Sequence, residues 1–246
     1  MEQTAYPGVS ETLVRTFGVV LCVLIVLAAG MNIYSTYVKK RKYPDRPRPN
    51  GLSKPVLALE LVKSRKEVEM ILGDGEETSS KLTRDMMKED LKGDSYAFIP
   101  IYWLLFMAMS WLLAQRQPAW AKWAGIAAGI CITGAAIFDY MENAGIAAVL
   151  NESIAGVTDQ MALAIRKPSL VKWALIFITM ALLASLFWRR NWIMLLALAY
   201  LLIAIIGLVG LIYHPAIEWA FALIGIVIIA VALLFTFLPK QFLHEF

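Results

Sequence analysis

Cysteine and histidine are almost absent, at two residues each in 246. Cys22 and Cys131 both lie inside apolar runs, where a thiol is a small inert core group, so the chain has no disulfide framework to rely on. No cysteine or histidine pair stands at metal-ligand spacing, and the Glu-x-x-His pattern of carboxylate-bridged metals is missing, so no metal or cofactor is indicated by motif. Gly73-Asp74-Gly75 is not followed by Gly-Lys-Ser/Thr, so it is no phosphate loop. The Gly-x-Ser-x-Gly elbow and the His-Glu-x-x-His helix are absent too. Charge is scarce, at 17% of residues against about 25% in an average soluble domain.

What fills the chain instead is apolar: 59% hydrophobic residues and a mean hydropathy of +0.64. A soluble fold has no surface for that much aliphatic side chain, and disorder, collagen and coiled coil are excluded by the same composition. The expected fold is all-α, a polytopic transmembrane helical bundle forming a single integral membrane domain over residues 1–246. A span needs about 20 mostly apolar residues. Six stretches qualify, near 13–37, 96–114, 119–150, 170–188, 192–213 and 216–238. The last two are divided only by His214-Pro215, a tight helical turn. The acidic start, with Glu2 and Glu11, and the long first apolar run read as an uncleaved anchor.

Loops 38–94 and 151–172 hold seventeen of the 23 Lys+Arg; the others are Arg15, Arg116, Lys122, Arg189, Arg190 and Lys240. The positive-inside rule therefore places loop 38–94 in the cytoplasm and both chain ends outside the cell membrane, with Arg189-Arg190 the exception. The basic run Lys39-Lys40-Arg41-Lys42 beside an apolar segment suits anionic lipid headgroups, and no nucleic-acid module accompanies it. Membrane lipids are the expected partners, with a protein partner reached through the 38–94 loop. Pro44, Pro47 and Pro49 make the start of that loop an extended tether. Short amphipathic helices follow: one opened by Pro55, one with the Ser64…Glu67 capping box and a stop at Gly73, and one over Leu82–Lys92 ending at Gly93.

Polar residues within the apolar runs carry the remaining information, because a charge at the bilayer centre costs about 2.5–3.5 kcal/mol on insertion scales. Asp139 lies roughly 6 Å from the middle of the third run, and Glu142 about one turn nearer the cytoplasm. Gly125, Gly129 and Ala136 fall on the face of Asp139 and Asn143, a small-residue stripe that admits a neighbouring helix and turns that face inward. Asp94 and Tyr102 open the second run, Lys172 the fourth, His214 closes the fifth and Glu218 opens the sixth. All eight are candidates for a cytoplasm-facing ligand or proton site. Each has an ordinary alternative: Asp94 and Glu218 as helix-end acids, Lys172 as a snorkelling lysine, His214 as a turn residue. Asp139, Glu142 and Asn143 are the hardest to explain by helix ends, and a structural network with Lys172 competes with a ligand site there.

Leu59-Glu60, the helix Glu67–Leu72, Asp94 with Ile101-Tyr102, Asp139-Tyr140-Met141-Glu142-Asn143 and Lys172-Trp173-Ala174 together resemble uncharacterised bacterial multi-pass membrane proteins with a D-x-x-E-N transmembrane helix. The resemblance covers about residues 55–188 and implies no chemistry. Two functions compete. One is a non-catalytic accessory, scaffold or ligand-binding protein, towards which the absence of reaction motifs leans. The other is a membrane enzyme or carrier acting on a small amphiphile, a lipid or isoprenoid, from the cytoplasmic leaflet.

Overall fold

The computed structural model describes residues 10–33, 42–75, 77–115, 119–188 and 192–240. Among them every regular element is helical: α1 (Glu11–Ile33), α2 (Pro55–Glu60), α3 (Arg65–Leu72), α4 (Thr78–Gly93), α5 (Ile99–Ala114), α6 (Ala119–Asn151), α7 (Asp159–Phe187), α8 (Met194–Gly210) and α9 (Pro215–Phe237). Among the described residues four helices are long and apolar enough to cross a membrane: the continuous α4–α5 rod Thr78–Ala114, α6, α7 and α9, with α8 apolar but shorter. Residues 34–37 of the first expected span, Glu2, Lys39-Lys40-Arg41, Arg116 and Arg189-Arg190 lie outside the described residues.

α7 occupies the middle. Half of its apolar window is buried, against 39% in each of the other three, and it lies between α6 and α8. α5 packs along α6, α9 along α8, and α1 along α9. At the end formed by the C-terminus of α7, backbones and rings make the contacts. Phe187 stacks on Tyr200 at 5.4 Å, and Phe187 meets Phe235 at 6.5 Å. The expected stripe on α6 does face a neighbour: a Cβ on Gly125 would lie 2.4 Å from Ala114 Cβ and 2.7 Å from Ser110 O. Gly18 lets α1 approach Thr236 of α9 equally closely, with the Thr236 nitrogen 2.5 Å from its missing Cβ. Lipid tails are as apolar as leucine, so close van der Waals contact is the main force available there.

Towards the opposite end, two helices are longer than a membrane crossing needs. At 1.5 Å per residue α6 is about 50 Å long and α7 about 43 Å, against about 30 Å of hydrocarbon. Two sequence readings change here. α7 begins at Asp159 rather than near 170, capped by Thr158, whose hydroxyl accepts from the Met161 amide, and it runs on through Pro168. Lys172 therefore stands mid-helix and opens nothing. α4 does not stop at Gly93, whose backbone is right-handed helical; it passes through a π-turn, Asp94–Phe98, directly into α5. In that wider turn the Ile99 amide reaches back to the Asp94 carbonyl, and Pro100 falls in the first turn of α5, where its missing N–H matters least. Asp94 is thus at an interruption of a long helix, not at its start.

The segment from Lys42 to Leu72 is fastened down. Tyr43 donates to Asp90 at 2.5 Å. Arg46 reaches Glu77 at 2.8 Å and Ser80 at 2.9 Å. Gly73 ends α3 at φ 80°, and a Cβ there would strike Arg46 and Ser80, so only glycine fits. The capping box forms one residue wider than expected: Ser64 accepts from the Glu67 amide, and Glu67 accepts from the Lys63 amide at 2.6 Å. Leu57, Ala58, Leu59, Leu61, Val62, Val68 and Leu72 are buried in the common core. α2 is therefore packed against both α6 and α7, and α3 against α7. Arg84 of α4 completes this end by donating to the last carbonyls of α6, Leu150 at 3.2 Å and Glu152 at 2.8 Å, a C-cap in trans.

Candidate functional site: a lysine enclosed by three carboxylates

Where α2 meets the bundle, four charged side chains converge. Lys172 Nζ donates to Glu60 Oε2 at 3.1 Å, Asp139 Oδ1 at 3.1 Å and Glu142 Oε1 at 2.9 Å. Glu142 Oε2 is nearer still, 2.7 Å from the same nitrogen. Asp139 is 4%, Glu142 1% and Lys172 4% exposed, so these three are buried, while Glu60 is half-buried at the edge of the group. Helical periodicity explains the placement. Asp139 and Glu142, three residues apart on α6, both face α7, and Lys172 answers from that helix. Tyr102 of α5 donates to the other oxygen of Asp139 at 3.0 Å.

Aromatic side chains wall the charges in. The Trp173 indole donates to Glu60 Oε2 at 3.1 Å, and the Lys172 ammonium lies 5.1 Å from the Trp173 ring centre. Trp173 stacks on Phe177 at 5.8 Å and meets Phe221 edge-on at 6.2 Å, while Phe98 touches both Phe221 and Tyr102. With rings in place of water, each ion interacts more strongly with its partners than it would at a surface.

The eight residues singled out in the sequence fall into four places. Asp139, Glu142, Lys172 and Tyr102 form the centre just described. Asn143, one turn along α6, belongs to a neighbouring group: its amide donates to Asp94 at 2.7 Å and to Ser95 Oγ at 3.0 Å, while Tyr140 holds the Ser95 carbonyl at 3.0 Å. These bonds fix the π-turn against α6. His214 is elsewhere, with Nδ1 3.2 Å from the Gly210 carbonyl and Nε2 3.3 Å from Arg166. A carbonyl only accepts, so Nδ1 carries the proton and Nε2 accepts from the guanidinium: His214 is neutral. Burial, with the Arg166 charge, pushes its pKa below the ordinary value of 6.5. Arg166 also donates to the Leu61 carbonyl, tying α7 to the end of α2. Glu218, on α9, accepts from the Ser53 amide and hydroxyl at 2.7 Å each and from the Lys54 amide at 2.8 Å. It anchors the start of α2, so its role is that of a cap for another helix. The eight residues expected to converge are thus divided between one ionic centre and three separate fastenings around it.

Glu60 and Trp173 are the members that the sequence did not single out as site residues. The available signal was local: Glu60 is an acid set between the apolar runs Leu57-Ala58-Leu59 and Leu61-Val62. Among the described residues no group of His, Cys, Asp and Glu is arranged to hold a metal ion. No protein-family model, curated protein or solved structure matches the chain.

Proposed function

We propose that this is a non-catalytic integral membrane protein of the accessory or scaffold type, crossing the cell membrane six times. In this reading α1 and α8 join the four long apolar helices as spans, the chain ends lie outside, and the segment 38–94 is a cytoplasmic cap that presents α4 to a protein partner. One observation carries the reading: every hydrogen of the Lys172 ammonium is taken by a carboxylate of the protein itself, and one of these comes from α2. An ion set arranged this way fixes α2 to the bundle and leaves the ammonium no free donor for an anionic headgroup. A buried ionic set need not add stability over apolar packing, but it demands one register and one docking angle, which suits a protein whose task is to hold a surface in place. That surface is the mixed-charge outer face of α4, where Lys81, Asp85, Glu89 and Lys92 are exposed.

Photo-crosslinking from Lys81 and Asp85 in intact cells tests the proposal. The expected result is crosslinking to a discrete protein, lost when Glu60→Lys repels the cap. Adducts to lipid alone, together with a co-purifying amphiphile lost in Asp139→Leu, would replace it with the enzyme or carrier reading. Impermeant maleimide labelling at Ser10→Cys and Lys81→Cys checks the topology, with opposite sides expected.

A further inference from the structure

In the spanning reading proposed above, the α8–α9 turn stands at a membrane boundary. α9 has 23 residues, about 34 Å at 1.5 Å per residue, against about 30 Å of hydrocarbon. Its first turn, Pro215–Glu218, therefore falls at the edge of the apolar slab. Three large side chains beside it face outward: Ile212 is 90%, Tyr213 64% and Trp219 72% exposed. Tyrosine and tryptophan collect at headgroup depth, where the ring is kept dry and its polar tip wet.

A patch of positive charge is fastened to the same turn. Gly51 lies against Pro215, and Glu218 accepts from the Ser53 and Lys54 amides, so the chain around Lys54 is held at this depth. Arg48 follows it by donating to the Ser53 carbonyl. From the other side Arg166 bonds to His214 and to the Leu61 carbonyl, and the Lys63 ammonium lies within electrostatic reach of the His214 ring. Four cations thus border one turn. The acids that reach it are Glu67 and Glu218, and both are committed to backbone amides. His214 is neutral and adds no charge. Lys54 and Lys63 are exposed, and among the described residues their ammonium groups enter no ion pair.

We propose that this patch is a headgroup site for an anionic phospholipid of the cytoplasmic leaflet, with Lys54 and Lys63 on the phosphate and Tyr213 and Trp219 beside the upper acyl chains. Charge complementarity selects the class. Cations outnumber carboxylates at the turn, and two ammonium groups keep their hydrogens free for phosphate oxygens. A zwitterionic headgroup brings its own ammonium against them and gains less. A free phosphate makes no use of Ile212, Tyr213 and Trp219, whereas a lipid meets both the charge and the apolar fringe. Lys172 has no donor left for such a group, so the patch is separate from the ionic centre. The inference rests on the spanning reading and adds the lipid class that the cytoplasmic end meets.

Native mass spectrometry of the full chain in detergent, with phosphatidylglycerol or phosphatidylcholine added, tests the site. One phosphatidylglycerol is expected to be retained in preference to phosphatidylcholine. Retention should fall about fivefold in Lys54→Gln and about fivefold in Lys63→Gln, the usual weight of one basic residue at an anionic membrane. It should be unchanged in Lys81→Gln/Lys92→Gln on α4. Both lysines hold their segment through the backbone, which glutamine keeps. Photo-crosslinking from Ile212 in intact cells gives a reading without the lysine variants, and phospholipid adducts are expected. The proposal is overturned by equal retention of the two lipids, by an equal loss in the α4 pair, by displacement of the lipid with millimolar inorganic phosphate, or by crosslinking to a discrete protein. Equal retention in a chain that resists alkaline carbonate extraction from membranes would remove the headgroup site and leave the spanning reading standing. Release by carbonate would remove the spanning reading itself.

Discussion

The two ends of the bundle are held by different physics. Around Gly125, Gly18 and the Phe187–Tyr200 stack, helices touch through bare backbone and ring faces, and the geometry is set by shape. Around Lys172 they are joined by charges taken from α2, α6 and α7. Shape contacts degrade gradually, because a neighbour can move by a few tenths of an ångström. Ionic contacts in a dry site fail abruptly, since a lost partner strands its opposite number without water to replace it. The end built from ions is also the end where α2 and α3 are attached, and that is where a single permitted docking angle matters.

Removing the ion at the centre should therefore produce the largest effect. Lys172→Met leaves the buried Asp139 and Glu142 facing each other and the half-buried Glu60, and we expect a loss of about 3–5 kcal/mol, or failure to accumulate folded protein. Denaturant unfolding in detergent measures it, with the exposed Asp85→Asn as a control expected within about 0.5 kcal/mol of the parent. An equal response at both positions would erase the distinction between the ends. Arg84 is unsuitable as a control, because it caps α6.

The shape-held end should respond less. Gly125→Val would push α5 and α6 apart against Ala114 and Ser110, at about 1–3 kcal/mol by the usual cost of overpacking. The same unfolding measurement applies, and maleimide labelling at Leu59→Cys should stay slow, because the damage is remote from α2. Smaller again is the capping box. Ser64→Ala removes the acceptor for the Glu67 amide and should cost about 0.5–2 kcal/mol, read as a lower Tm.

The weakest expected effect is a pH dependence from His214. Its folded pKa lies below the ordinary 6.5, so its contribution is fully present above that value and is lost as pH falls through the lower folded value. Melting temperature against pH should therefore decline on the acid side, and the decline should shrink in His214→Asn. A slope of the opposite sign would mean that the ring is charged in the folded protein, in conflict with its bond to Arg166.

Much of this was legible without coordinates. The all-α class and the helical hairpin at His214-Pro215 follow from apolar runs and proline. The inward face of α6 follows from Gly125, Gly129 and Ala136 at helical spacing. The capping box at Ser64 is a local pattern, and local hydrogen bonds form wherever their residues are adjacent. Asp139, Glu142 and Lys172 were conspicuous because charge in an apolar run is costly enough to require a reason. The continuous rod through Gly93 was not legible, because glycine permits a stop without enforcing one, and α6, whose Tyr140 and Asn143 hold the π-turn, decides whether the helix continues.

The sequence by itself determined that this chain is helical and apolar and that a few buried charges had to find partners. Those are consequences of composition and of period, properties each segment carries alone. Only the tertiary structure decided which partners they found. Glu60 reaches Lys172 across 112 positions of chain, and Glu218 holds Ser53 across 165. Pairings over such distances depend on how long rods cross. No local spacing encodes that geometry, since it arises from the packing of all the helices at once.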